Sequence, residues 1–269
     1  MTDTISDRVQ INQERLLQRF LSYVQVGTSA DPGSDDYPSS AGQWELGKLL
    51  LEELRQLTIE DACQDENALV WGTVPASNGE SGPTVALVAH LDTSPEAPGD
   101  HVKPQVIRSY AGGDIQLPSG NVIDVASCPA LQSMIGMTLV TTDGSTLLGG
   151  DDKAGVAIIM ELVATLVENP HLVHGPVKVL FTCDEEIGRG TDKIDLQKLD
   201  ATVAYTLDGG GAAIIDEETF SADAATVRFE GHNIHPSIAK DRMVNAVRAA
   251  ADFVARLPSD TCSPETTDK

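Results

Sequence analysis

A chain of 269 residues is long enough for one large or two ordinary domains, each with a core of its own. It is 41% hydrophobic and 22% charged, the balance of a soluble globular protein, and no apolar run is long enough to cross a bilayer. With 18 basic against 41 acidic residues the net charge is −23, which argues against nucleic acid or an anionic membrane as a partner.

In chain order, Leu16, Leu17, Phe20, Leu21 and Val24 recur at helical spacing, predicting an amphipathic first helix within 9–24. Residues 29–40 are rich in Ser, Asp, Pro and Gly and read as an exposed loop. Ser39 or Ser40 can then cap a second helix through Trp44, Leu46, Leu49, Leu50 and Leu54. A short β-branched segment (68–74) and a turn (78–83) precede a strand that ends at His90. Residues 94–134 carry much Pro and Gly and predict a long ordered excursion over the face that bears the site. Residues 138–142 read as a strand, and Gly149-Gly150 then opens a turn into the apolar run Val156 to Val167, a buried helix. Two more strands follow, 177–182 and 203–207. Strands alternating with helices predict an α/β fold with a mostly parallel mixed sheet flanked by helices. After Gly211, residues 219–230 alternate like a strand, 231–241 read as loop and 243–257 as helix. The expected division is a catalytic domain over 1–211 and the beginning of a smaller α+β lid domain over 212–269, both incomplete.

The chemistry gathers at the strand ends. His90-Leu91-Asp92, Asp151-Asp152, Asp184-Glu185-Glu186 and Asp208 each follow an apolar segment, so four strands are expected to deliver metal ligands at one end of the sheet, where open α/β sheets bind ligands. His, Asp and Glu without Cys suit zinc, manganese or cobalt in a catalytic site. The period of two places His90 and Asp92 on one face, so Asp92 can orient His90 through its second ring nitrogen. Asp151 is placed to bridge two ions. Of the neighbouring Glu185 and Glu186, one can bind metal while the other stays free as general base. Two ions roughly 3.5–4 Å apart would make a bridging water nucleophilic near neutral pH. The free glutamate would take its proton and pass it to a leaving amine. Each piece has an ordinary reading as well: a lone strand-end His is usually structural, adjacent acids commonly open a helix, and Asp-Gly-Gly-Gly is commonly a turn. The Gly-Gly before Asp151 lacks the spacing of a phosphate loop. The four cysteines, Cys63, Cys128, Cys183 and Cys262, are scattered and form no CxxC pair, so they read as reduced thiols of a cytoplasmic protein, with Cys183 a small packing residue.

The wording of these motifs, Ala89-His90-Leu91-Asp92-Thr93-Ser94-Pro95, Leu147 through Gly155, Asp184-Glu185-Glu186-Ile187-Gly188-Arg189-Gly190 and Ala204 through Gly211, resembles the peptidase T family. That family is the tripeptide aminopeptidase branch of the superfamily containing succinyl-diaminopimelate desuccinylase and aminoacylase. The stretches Tyr110 to Ile115 and His235-Pro236 to Ala246 resemble the same branch. The resemblance implies two Zn2+ per complete site, with Mn2+ or Co2+ as substitutes. His90 and Asp208 would hold one ion, Glu186 the other, and Asp151 would bridge. Asp92 would orient His90 and Glu185 would be the general base. His235 and Asn245, in the lid, would bind substrate. It further implies cytoplasmic removal of the N-terminal residue from short peptides, and leaves the oligomeric state open, a homodimer among the options. In the family the chain returns from the lid to finish the sheet and supply a last histidine ligand. No such return is present, so the expectation is an N-terminal part of a longer peptidase, with its second metal weakly held. Two other readings stand beside it: an amidohydrolase or carboxypeptidase of the same superfamily, and an inactive fragment.

Overall fold

The computed structural model describes residues 9–77, 82–211, 214–217, 225–258 and 261. Two compact units are present, residues 1–210 and 211–269. The first unit is an α/β layer structure. Helix α1 (Gln13–Val24) starts where the Asn12 side chain accepts the amide of Arg15, a standard N-cap. Helix α2 (Ala41–Gln56) follows, with Ser40 at the N-cap position. The Ser40 hydroxyl meets the Gln43 side chain and makes no bond to the helix backbone.

The main sheet has five strands in the order β1 (Cys63–Gln64), β2 (Val70–Val74), β8 (Val177–Thr182), β3 (Val85–His90) and β9 (Val203–Thr206). β1, β2 and β8 pair antiparallel, whereas β8, β3 and β9 run parallel. β3 lies between the other two parallel strands, with His90 opposite Thr182 on one side and Val88 opposite Thr206 on the other. The loops after all three parallel strands therefore leave the sheet together, around His90. Side chains alternate between the faces. Val179 and Phe181 of β8 enter the larger core with Leu46, Leu50, Leu54 and the helix α3 (Gly150–Glu168) residues Val156, Ile159, Met160 and Val163. Leu180 enters a smaller core on the opposite face with Leu69, Trp71, Ala86 and Leu199 of the short helix α4 (Leu196–Leu199). Each fully buried aliphatic side chain contributes roughly 1.5–3 kcal/mol.

The long excursion and the strand after it form two small two-stranded antiparallel sheets, β4 (Gln105–Ile107) with β7 (Leu139–Thr141), and β5 (Ile115–Gln116) with β6 (Val122–Ile123). They enclose a satellite core of Tyr110, Ile115 and Leu131. The segment before Asp151 is not a strand of the main sheet: β7 pairs only with β4, so three strand ends and one helix start converge, not four strands. The hydrogen bonds of β7 go to Gln105–Ile107 of the excursion, and the strand runs at once into the Asp143 turn, whose carboxylate accepts the amide and hydroxyl of Ser145 while Thr142 accepts the Gly144 amide. This turn ends β7 after three residues.

In the second unit, residues 225–230 carry no strand, and the rest of the expected 219–230 strand (219–224) lies outside the described residues. An isolated bridge joins His232 to Val244, and helix α5 spans Ala246–Arg256. No described helix is long and apolar enough to cross a membrane.

Candidate metal centre

Helix α3 brings Asp151 to the end of β3 by close approach. Gly149 adopts φ 78 at its N-cap, a left-handed turn suited to glycine. Gly155 lies against the chain leaving β9: a Cβ there would come within 2.4 Å of the Leu207 carbonyl oxygen. The helix proper begins only after Asp152, because Asp151 and Asp152 have non-helical backbone angles. Asp151 thus stands free of the helix, its side chain 68% exposed.

His90 is the buried hub. Its Nε2 lies 2.9 Å from Asp151, 3.8 Å from Glu185 and 3.9 Å from Asp208. Two groups of ligand atoms form around it, His90–Glu185–Asp208 and His90–Asp151–Glu186, each with all atoms within 4.8 Å of one another. His90 Nδ1 faces the Asp92 carbonyl at 3.0 Å and its carboxylate at 3.4 Å. The Asp92 carboxylate, fully buried, accepts the amide hydrogens of Glu185 and Glu186, both at 3.0 Å. One residue therefore aligns the imidazole and the turn that carries both glutamates.

The electrostatics show a surplus of negative charge. Burial opposes protonation of His90, but the hydrogen bond and charge of Asp92 outweigh it and raise its pKa to about 10. Burial, then the charge of Asp151, raises Asp208 to about 6 and pushes Glu186 above the usual range. Carboxylates crowded this closely resist ionising together, and a bound cation relieves that repulsion. Imidazole nitrogen and carboxylate oxygens at these separations are also the donors that zinc, manganese or cobalt accepts. The residues fit a divalent metal. Beside Glu185 a cavity of about 420 Å³ opens, lined by Val88, Leu180, Thr182, Gly190 and Thr206 among others.

All six residues named for the first unit, His90, Asp92, Asp151, Glu185, Glu186 and Asp208, are brought together. Glu185, read from sequence as the free glutamate, lies with His90 and Asp208. His235 and Asn245 belong to the second unit and have local roles there. His235 Nδ1 meets the Ser237 hydroxyl at 2.8 Å, and the Asn245 side chain caps α5 by accepting the Arg248 amide at 3.1 Å.

Several supporting residues carry no sequence signal of their role. Asp152, 2% exposed, accepts the amides of His90 and Gly155, and burial lifts its pKa to about 8. Lys153 is fully buried, donates to the Val26 carbonyl at 2.7 Å, and is lowered by burial to about 8. Asp184 and Gln43, 141 positions apart, hydrogen-bond in the interior.

Known proteins resemble this chain in sequence and fold. The model of peptidase family M20/M25/M40 matches residues 141–268. A peptidase T of Geobacillus sp. (strain WCH70) is 45% identical over 258 residues, covering 95% of this chain and 63% of its own length. The peptidase T of Bacillus subtilis (strain 168) is 41% identical with the same coverage. The chain thus spans about 63% of these relatives' length. A crystal structure of aminopeptidase PepT from Bacillus cereus ATCC 10987 shares the fold, with TM-score 0.60 and 24% identity over 92% of this chain and 57% of that one.

Proposed function

We propose, from its matches to peptidase family M20/M25/M40 over residues 141–268 and to peptidase T at 45% identity, that the chain is part of a peptidase T and serves metal-dependent removal of the N-terminal residue from short peptides, tripeptides foremost. The observation that carries the proposal is the convergence of His90, Asp151, Glu185, Glu186 and Asp208 into two overlapping ligand groups. His90, Asp151, Glu186 and Asp208 would hold a pair of divalent ions, zinc in the cytoplasm. When bound, the ions supply Lewis acidity that polarises the scissile carbonyl and makes water nucleophilic near neutral pH.

The rest is the work of side chains. Asp92 keeps His90 in one orientation through Nδ1 and holds the Glu185–Glu186 turn through its amides. Glu185, 49% exposed, is reachable by substrate; its carboxylate takes a proton from the attacking water and returns it to the leaving amine. His235 and Asn245 bind the peptide, as the resemblance implies.

The test is metal content of the purified chain together with release of alanine from trialanine. Bound zinc, with at most weak cleavage from the amino end that a chelator stops, is the expected result. Cleavage of N-acetylalanine in place of trialanine would move the reaction to the amidohydrolase reading. A chain that binds no zinc would overturn the metal reading, whereas bound zinc without hydrolysis would favour the inactive-fragment reading.

A further inference from the structure

The loop entering α2 grips the turn that carries Glu185 and Glu186. The Tyr37 hydroxyl donates to the Cys183 carbonyl at 3.2 Å. The Ser39 amide and hydroxyl donate to the Asp184 carboxylate at 2.8 and 2.6 Å, and Gln43 Nε2 donates to the same carboxylate at 2.7 Å. Gln43 Oε1 in turn accepts the Asp184 amide hydrogen at 3.0 Å. Arg189, which follows the turn in sequence, donates to the Asp36 carbonyl at 2.9 Å, stands 5.2 Å over the Tyr37 ring and lies 3.7 Å from the Asp184 carboxylate. Asp184 and Gln43 are both fully buried, and Asp184 belongs to neither ligand group.

Resting on the reading of Glu185 as base and Glu186 as ligand, we propose that Gln43 and Ser39, acting through Asp184, are positioning residues for those two glutamates. Asp184 adopts φ 58, a backbone region uncommon for a residue with a side chain, so the turn needs outside support to keep that shape. The two-point contact of Gln43 with the Asp184 carboxylate and amide fixes side chain and backbone at once. The next two amides are held by Asp92. The glutamates are thereby pinned between His90's own partner and α2, whose Leu46, Leu50 and Leu54 are fully buried. A buried carboxylate is tolerated here because three donors meet it.

The donor pattern supplies the experiment. In Asp184→Asn the new amide nitrogen would face either Gln43 Nε2 or the Ser39 backbone N–H, donor against donor. Turning the Gln43 amide over only moves the conflict to the Asp184 backbone N–H. Adding Gln43→Glu restores an acceptor at both points, so the double variant Asp184→Asn/Gln43→Glu is the rescue. Leu54→Ala, at the other end of α2, is the control for plain loss of stability. Amide hydrogen exchange across residues 184–188 of the metal-free chain and Zn2+ affinity are the readouts.

Asp184→Asn is expected to speed exchange at Glu185 and Glu186 and to weaken Zn2+ binding, each by about tenfold. The double variant should recover most of both, while Leu54→Ala lowers Tm and changes neither. An Asp184→Asn protein that melts earlier but keeps wild-type exchange at the turn and wild-type Zn2+ affinity overturns the proposal. A wild-type chain that binds no Zn2+ would sink the metal reading of the cluster. The exchange data then decide alone: faster exchange reversed by the swap upholds the positioning role, and unchanged exchange overturns it.

Discussion

Two clusters of charge lie inside the same α/β unit, and they are built on opposite plans. Among the helices, Arg15 forks onto both Glu161 oxygens at 2.8 Å and reaches Glu168, while Arg19 joins Glu161 at 2.5 Å and Glu53 at 2.9 Å. The Tyr23 hydroxyl completes the set on Glu53 at 2.7 Å. The buried Glu161 thus has a guanidinium on each oxygen, and its charge is answered within the chain. At the end of the parallel strands, Asp92, Asp151, Asp152, Glu185, Glu186 and Asp208 gather around one imidazole. Asp92 and Asp152 are satisfied by backbone amides. The other four are left facing one another, and Lys153 donates its ammonium to a backbone carbonyl. The helical clamp is complete as it stands and ties α1 and α2 to α3. The strand-end cluster is complete only with added positive charge. A deficit maintained by buried, well-held residues is the mark of a site, whereas a balanced network is the mark of a brace.

Crossed substitutions put that contrast at risk. His90 supplies the one nitrogen shared by the two ligand groups, so His90→Ala should cost at least one bound ion, read by metal content after dialysis against buffered Zn2+. Retention of two ions would show that the hub is not His90. The brace predicts the reverse pattern. Glu161→Ala leaves two arginines without their shared partner and should cost about 3–5 kcal/mol, read by urea unfolding. Zn2+ affinity should be unchanged. If Glu161→Ala also stripped the metal, the two clusters would be one coupled system and the distinction would fall.

Much of the strand-end cluster was legible in the sequence because its parts are local words. His90-Leu91-Asp92 needs only the period of a strand, and Glu185-Glu186 needs only a strand end. The α/β class was legible for the same reason, from strands and helices alternating along the chain. What the sequence hid was non-local or depended on pairing. Residues 138–142 have the composition of a sheet strand, yet β7 pairs with β4, because hydrogen-bond partners are not written into a single segment. Gln43 reads as an ordinary helix residue until Asp184, 141 positions later, is seen against it. The brace was hidden likewise: Arg15 and Arg19 look like the solvated face of an amphipathic helix, and Glu161 sits in an apolar run.

A smaller effect tests whether Asp92 acts through His90 and the glutamate turn. Asp92→Asn preserves volume but can accept fewer hydrogen bonds and loses the charge beside His90. It is expected to lower metal affinity by about 10–100-fold, the usual range for a residue that orients a ligand. Isothermal titration with Zn2+ measures it, and wild-type affinity in the variant would remove Asp92 from the positioning scheme.

The mildest prediction concerns pH, and its sign follows from the unbalanced cluster alone. In the metal-free protein Asp152 moves from 3.8 to about 8 and Asp208 from 3.8 to about 6, so the folded state holds their protons more tightly than the unfolded chain. His90, raised from 6.5 to about 10, does the same. Each contribution is therefore full below the unfolded pKa and lost as pH rises through the folded one. For the aspartates that window runs from about 4 to 8, and for His90 from 6.5 to about 10. Stability of the metal-free chain should fall as pH rises from 5.5 to 8.5. At this chain length each kcal/mol lost lowers Tm by about 2–4 °C. Saturating Zn2+ at pH 8.5 should restore Tm, because the ion supplies the charge that protons supply at lower pH and binds the folded state alone. A metal-free Tm that holds level or climbs over the same interval would mean the cluster's charge is already answered by the chain, and the contrast with the helical brace would not stand.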